Sequence, residues 1–131
     1  MSTIGVSGLL LGGGISYFAN KMGWACDNVV SYEVVTASGI IVTASPTQYS
    51  DLYWALRGGG NNFGVVTKFN VNAFPNGNMW GGARLFSPDQ FSKALDAVYN
   101  FAYNSASDLE AAMILVSHTP PMVRVQDESK M

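Results

Sequence analysis

Arg57-Gly58-Gly59-Gly60-Asn61-Asn62-Phe63-Gly64-Val65-Val66 sets a glycine triplet between an aromatic, apolar stretch and a β-branched one. A second stretch, Gly5-Val6-Ser7-Gly8-Leu9-Leu10-Leu11-Gly12-Gly13-Gly14, repeats that pattern near the start of the chain. Together they hold nine of the fourteen glycines. Both adjoin apolar, β-prone residues, so neither has the composition of a linker. Glycine weakens helices and strands; its use is positive φ or close approach of another backbone or a ligand. Two such clusters in 131 residues imply backbone drawn tightly against something.

The elements between and around them are readable. Thr3 to Val6 is expected as a short strand entering the first cluster. Ile15, Phe18, Ala19 and Met22 then share one helical face that stops near Gly23. Val29 to Ala37 and Ile40 to Ala44 are β-branched runs joined by Ser38-Gly39, a hairpin signal. Ser50 is expected to cap a helix through Asp51 to Arg57, which Gly58 terminates. Phe63 to Phe74 predicts a third strand, with Val65, Thr67, Phe69 and Val71 opposite Val66, Lys68 and Asn70.

Pro75-Asn76-Gly77-Asn78 is the clearest turn and a candidate sub-domain boundary. Met79 to Phe86 reads as a strand. Ser87-Pro88-Asp89-Gln90 combines an N-cap, a proline at N1 and a capping-box glutamine. Behind it Phe91, Ala94, Leu95, Val98, Phe101 and Ala102 form one helical face. Ala111 to Val116 predicts another strand, broken by Thr119-Pro120-Pro121, and Met122 to Met131 shows no period and is expected to be irregular. The class is α+β.

Bulk properties narrow the function. Length fits one domain with a modest core. Charged residues make up 12% of the chain and the net charge is −2, with the seven basic residues scattered. That gives no case for nucleic acid or an anionic membrane. No apolar run reaches the roughly 18–20 residues that span a bilayer. Cys26 and His118 are the sole residues of their types, which excludes an internal disulfide, a cysteine cluster and a histidine-rich metal centre. Met1 to Gly5 lacks the basic and apolar regions of a secretory leader, and the compartment stays unassigned.

Glycine-rich turns can cradle anions with consecutive N–H groups. The Gly12-Gly13-Gly14 turn suits that role, and suits tight strand–helix packing equally. It is no P-loop, because Ile15-Ser16 follows instead of Lys-Ser/Thr. Nor does it fit the Rossmann fingerprint, since Tyr17 stands where the last glycine belongs.

Taken in order, the first glycine cluster, Asp27-Asn28-Val29, the hairpin, Asp51-Leu52-Tyr53-Trp54-Ala55-Leu56-Arg57-Gly58-Gly59-Gly60 and Phe63-Gly64-Val65-Val66 carry a resemblance. The chain resembles the FAD-linked oxidoreductases of the vanillyl-alcohol oxidase superfamily, and within them the berberine-bridge-like branch, especially its fungal members. The resemblance runs nearly continuously from Ser2 to Trp80 and more loosely over Ser87 to Tyr103. It implies part of a PCMH-type FAD-binding domain: the second flavin sub-domain, a mixed sheet with flanking helices, running into the start of the substrate domain. On that comparison residues 1–78 are partial FAD-binding domain, 79–118 a strand–helix–strand start of the substrate domain, and 119–131 an irregular tail.

The same resemblance implies FAD contacts for Gly5, Val6, Ser7, Gly8 and Leu9, mainly through backbone. It adds Ile15, then Asn61 and Val66 near the adenylate end, with the Val66 backbone foremost. Asp27-Asn28 is read as fixing a turn ahead of binding directly. Met1 stands where some members carry a cysteine bonded to flavin, and Leu9 where some carry a histidine. Nothing matches the family's N-terminal flavin sub-domain or most of its substrate domain, so the chain is expected to be an internal segment of a longer oxidase. No catalytic base is assigned.

Single residues have plainer readings. His118 is expected in a loop without a catalytic role. Cys26 reads as a small buried apolar group. Asp108 and Glu110 read as capping or solvated acids, and Arg57 as a helix C-terminal charge, although it could also reach a phosphate. The implied function is the FAD-binding portion of an FAD-dependent oxidoreductase acting on a small alcohol, amine or sugar-like substrate. The alternative is a non-catalytic module that binds a nucleotide weakly or self-associates through an exposed apolar face.

Overall fold

Val29–Val35 (β1) is the central strand of a three-stranded antiparallel sheet, between Ile41–Ala44 (β2) and Val65–Val71 (β3). These features come from a computed structural model that describes residues 5–104, 107–118 and 122–127. Backbone contacts divide the chain into two units, one ending at Phe74 and the next beginning at Pro75.

In the first unit, the β1–β2 connection is a five-residue loop closed by the Thr36 N–H donating to the Ile40 carbonyl at 2.9 Å. Gly39 takes φ +79° there, a conformation β-carbons resist. Strict alternation fails on both β1 and β3. Val30 is an extra residue opposite the Val71–Asn70 step, and Thr67 is extra opposite Glu33–Val34. Each bulge turns the chain over by one position. Val29, Tyr32 and Val34 therefore all face inward from β1, joined by Val66 and Phe69 from β3. This corrects the expectation that Val66 and Phe69 lie on opposite faces.

One side of the sheet is covered by two short helices, Val6–Leu11 (α1) and Ser50–Leu56 (α3). Leu10 from α1 and Leu56 from α3 complete the buried cluster with Ala44, and Leu52 and Tyr53 pack against it. Burying a leucine of this kind contributes about 1.5–3 kcal/mol. Where a short strand was expected at Thr3 to Val6, the described part is the start of α1. Thr3 and Ile4 lie outside the described residues. The Leu9-Leu10-Leu11 run favours a helix once Leu10 has a core to enter.

Two further expectations shift. The helix predicted over Ile15 to Met22 shortens to Ala19–Met22 (α2), closed by Gly23 at φ +75°. For α3 the N-cap is Tyr49, not Ser50, and it offers no capping side chain. Tyr49 sits in the left-handed region, at φ 48° and ψ 49°, the one such non-glycine among the described residues. Its ring is exposed, so nothing repays the strain. Tyr49→Asn is expected to raise stability by about 0.5–1 kcal/mol, because asparagine tolerates that conformation and caps helices. A higher melting temperature in circular dichroism checks it; an unchanged or lower one refutes it.

The second unit is another three-stranded antiparallel sheet, in the order β4–β6–β5, formed by Gly82–Phe86 (β4), Met113–His118 (β5) and Met122–Asp127 (β6). The stretch expected to be irregular thus supplies the middle strand. His118, expected in a loop, ends β5, with its backbone opposite Met122. Phe91–Asn104 (α4) follows a 3-10 turn at Pro88–Gln90. The expected capping box is absent: Ser87 accepts the Gln90 N–H through its carbonyl, at 3.0 Å. Ala94 is the residue α4 buries, against Phe86, Met113 and Leu115. Phe91 and Leu95, assigned to the same face, stay exposed.

Candidate functional site

The two glycine clusters meet in the first unit. The Gly60 N–H donates to the Leu11 carbonyl at 2.9 Å. From the other side the Ala25 and Cys26 N–H groups donate to the Gly14 and Gly13 carbonyls, both at 2.8 Å. Around this junction opens a concavity of about 620 Å³, lined on one side by Gly12, Gly13 and Trp24 and on the other by Trp54, Arg57 and Gly58.

Most of these glycines serve the protein's own packing. A Cβ at Gly14 would lie 2.9 Å from the Leu9 and Ala25 side chains, and one at Gly59 would collide with the Ala55 carbonyl. Gly13, Gly58 and Gly60 all have positive φ. Gly5 and Gly8 differ. A Cβ at either meets no atom of the described residues within 4 Å, and neither has positive φ. No described neighbour requires glycine at those two positions.

Asp27 and Arg57 form an ion pair at the concavity's wall. The other Asp27 oxygen accepts the Trp24 N–H at 2.9 Å. Asn28 donates from its side-chain nitrogen to the Met22 and Trp24 carbonyls. This is the turn-fixing role expected for Asp27-Asn28. The Arg57 guanidinium carbon also lies 5.7 Å from the Tyr53 ring centre. Burial works to lower the Arg57 pKa, but the hydrogen bond and charge of Asp27 outweigh it and leave it raised. Arg57 does occupy the C-cap of α3, yet its charge is committed to Asp27. Cys26 is buried, as expected of a small apolar group.

Beneath this wall lies Tyr32, fully buried, its ring against Tyr53 and Phe69 with centroids 5.8 and 5.5 Å away. The Tyr53 hydroxyl donates to the Val29 carbonyl at 2.6 Å, whereas the Tyr32 hydroxyl has no partner among the described residues. Burial, with smaller contributions from Cys26 and Tyr53, pushes the Tyr32 pKa up to about 12.

The candidate FAD residues fall into three places. Gly5, Val6, Ser7 and Gly8 lie exposed along the start of α1, with Leu9 half-buried behind them. Ile15 and Asn61 are exposed in loops. Val66 turns its side chain into the core and pairs its backbone with Val34 on β1. None of the eight lines the concavity, which is built from their neighbours. The Asp27–Arg57 pair was not legible, because no local pattern joins residues 30 positions apart.

Residues 1–45 match the family model described as FAD binding domain. The chain is 51% identical over 110 residues to the FAD-dependent monooxygenase tpcD of Cochliobolus heterostrophus, covering 82% of this chain and 21% of that protein. Among solved structures, the VAO-type flavoprotein MtVAO615 of Myceliophthora thermophila superposes with a TM-score of 0.74 at 32% identity, over 95% of this chain and 24% of that one. The BBE-like 1 protein of Physcomitrella patens shares the fold with a TM-score of 0.86 at 24% identity, over 97% and 28%. In sequence and fold the chain is similar to FAD-linked, VAO-type flavoproteins, and it shares the fold of a berberine-bridge-like protein. It spans about a fifth of the length of the curated relative named above.

Proposed function

We propose that this chain supplies one wall of an FAD site in an FAD-dependent oxidoreductase, with Gly5, Val6, Ser7, Gly8 and Leu9 as its main flavin contacts. The observation that supports this reading is the pair Gly5, at the N-cap of α1, and Gly8 within it, both exposed where no described neighbour demands glycine. A missing Cβ there leaves backbone free for a planar group to approach. Ile15, Asn61 and the Val66 backbone are the further contacts assigned. Bound FAD supplies hydride acceptance from a small alcohol, amine or sugar-like substrate, with onward transfer to dioxygen or another acceptor. This chain's part is to hold and orient; no side chain in it is assigned as a base.

Gly8→Ala separates ligand contact from packing. Alanine favours a helix over glycine by about 0.8–1 kcal/mol, so the variant is expected to be at least as stable as the original. Its FAD affinity, read by flavin fluorescence titration, is expected to fall at least about tenfold, for a lost approach costing more than about 1.4 kcal/mol. Equal affinity in the two proteins would refute contact at Gly8.

A second reading rests on the uncovered side of the first sheet. Ile41, Val35 and Val65 pair in one row across it, and Ile41 and Val65 are about two-thirds exposed. Self-association through this row is the alternative function. A dimer on size exclusion that leaves FAD fluorescence untouched favours it over the flavin reading.

A further inference from the structure

The two glycine segments are joined in a closed circuit. From Leu11 the chain runs through Gly13 and Gly14, whose carbonyls hold the Cys26 and Ala25 N–H groups. Asp27 then reaches across to Arg57, and three residues on Gly60 bonds back to Leu11. Every link but one is covalent or a backbone hydrogen bond. The exception is Asp27–Arg57, and both partners are braced. Asp27 accepts the Trp24 N–H at 2.9 Å. Arg57 lies against Tyr53, whose hydroxyl is anchored on the Val29 carbonyl at 2.6 Å. Arginine's planar guanidinium suits such a bridge, because a preorganised donor group loses less entropy per hydrogen bond formed.

We infer that Asp27 and Arg57 are positioning residues: their ion pair is a clasp that fixes the Val6–Gly14 segment against the Arg57–Gly60 segment. In the full site this clasp sets the flavin-contacting edge of α1, an extension that rests on the proposed FAD role. An anion approaching Arg57 meets the Asp27 carboxylate already bound there, and the like charges repel. Arg57 Nε is buried, with no partner among the described residues. Without the clasp the circuit is held by isolated backbone bonds in glycine-rich loops, where local opening is easiest.

The test compares the unaltered chain with Asp27→Asn, Arg57→Gln and Arg57→Lys by amide hydrogen exchange and by FAD fluorescence titration. In Asp27→Asn and Arg57→Gln the amides of Gly12, Ala25, Cys26 and Gly60 are expected to exchange at least about tenfold faster. Amides of β1, which pairs on both sides, keep their rate. FAD affinity falls about tenfold in the same two variants, and Arg57→Lys recovers part of both effects. Unchanged exchange at the four amides overturns the clasp. So does uniform acceleration that includes β1, which marks a general loss of stability. Local acceleration in a chain that never binds FAD upholds the clasp and overturns the flavin reading alone.

Discussion

Gly64→Ala is expected to unfold the first unit at temperatures where the unaltered chain is native. Gly64 holds φ +141°, a region that side chains with a Cβ rarely enter. A Cβ there would also stand 2.6 Å from the Val35 carbonyl oxygen and 2.9 Å from Val34 Cγ1. Neither neighbour can give way. Val35 is paired with both β2 and β3, and Val34 is fully buried in the core. Backbone strain of this kind costs about 1–3 kcal/mol and overpacking a further 1–3. A unit of 74 residues has a total stability on the order of 4–11 kcal/mol, so the substitution removes a large part of it. Gly77→Ala is the control, since a Cβ there meets nothing and no positive φ is required. Urea unfolding followed by circular dichroism reads the difference. A midpoint for Gly64→Ala within error of the Gly77→Ala value would show that the β3 entry is not held as described.

The second large effect concerns Tyr32. Its ring fills the centre of the core and its hydroxyl has no partner among the described residues. An unsatisfied buried hydroxyl costs about 1–3 kcal/mol, so Tyr32→Phe is expected to stabilise by about 1 kcal/mol after the small void is counted. Tyr32→Ala, which removes the ring as well, is expected to cost about 3–5 kcal/mol. The pH dependence has a definite sign. Below pH 10 both the folded and unfolded phenol are neutral, and the contribution to stability is complete. Between pH 10 and about 12 the unfolded phenol ionises while the folded one keeps its proton. Folding then holds more protons than unfolding, and stability falls as pH rises, by about 1.4 kcal/mol per unit. Tyr32→Phe lacks this loss. Parallel alkaline unfolding curves for the two proteins would show that the hydroxyl is hydrated or paired in the native state.

What the sequence made legible was local. The β1–β2 hairpin, α3 and α4 follow from β-branched runs, a glycine at the turn and a 3.6-residue period. Gly64 and Gly59 stood out as glycines, but which neighbours they press against depends on strands and loops far along the chain. The alternating faces assigned to β3 failed because a bulge at Thr67 is set by pairing with Glu33 and Val34. The Thr67 hydroxyl is held on Glu33, at 2.8 Å to its carboxylate. β6 was missed for a related reason. Val123-Arg124-Val125-Gln126 does alternate apolar and polar, but four residues behind Pro120-Pro121 are a short signal, and the strand is set by its partners on both sides. For the candidate site, Gly5 to Leu9 were marked by composition and resemblance. The helical form of Val6–Leu11 and the Asp27–Arg57 pair were set by contacts across the fold.

The strand order β4–β6–β5 has a bearing on how the chain is made. The strand that bonds both others is the last of the three to leave the ribosome. β4 and β5 therefore emerge before the strand that pairs them, and the edges they offer it stay open until Met122–Asp127 arrives between them. In the first sheet the middle strand comes first, so β2 and β3 each find a template as they appear. During synthesis the second sheet is thus the window in which edge-to-edge capture by another nascent chain is most open.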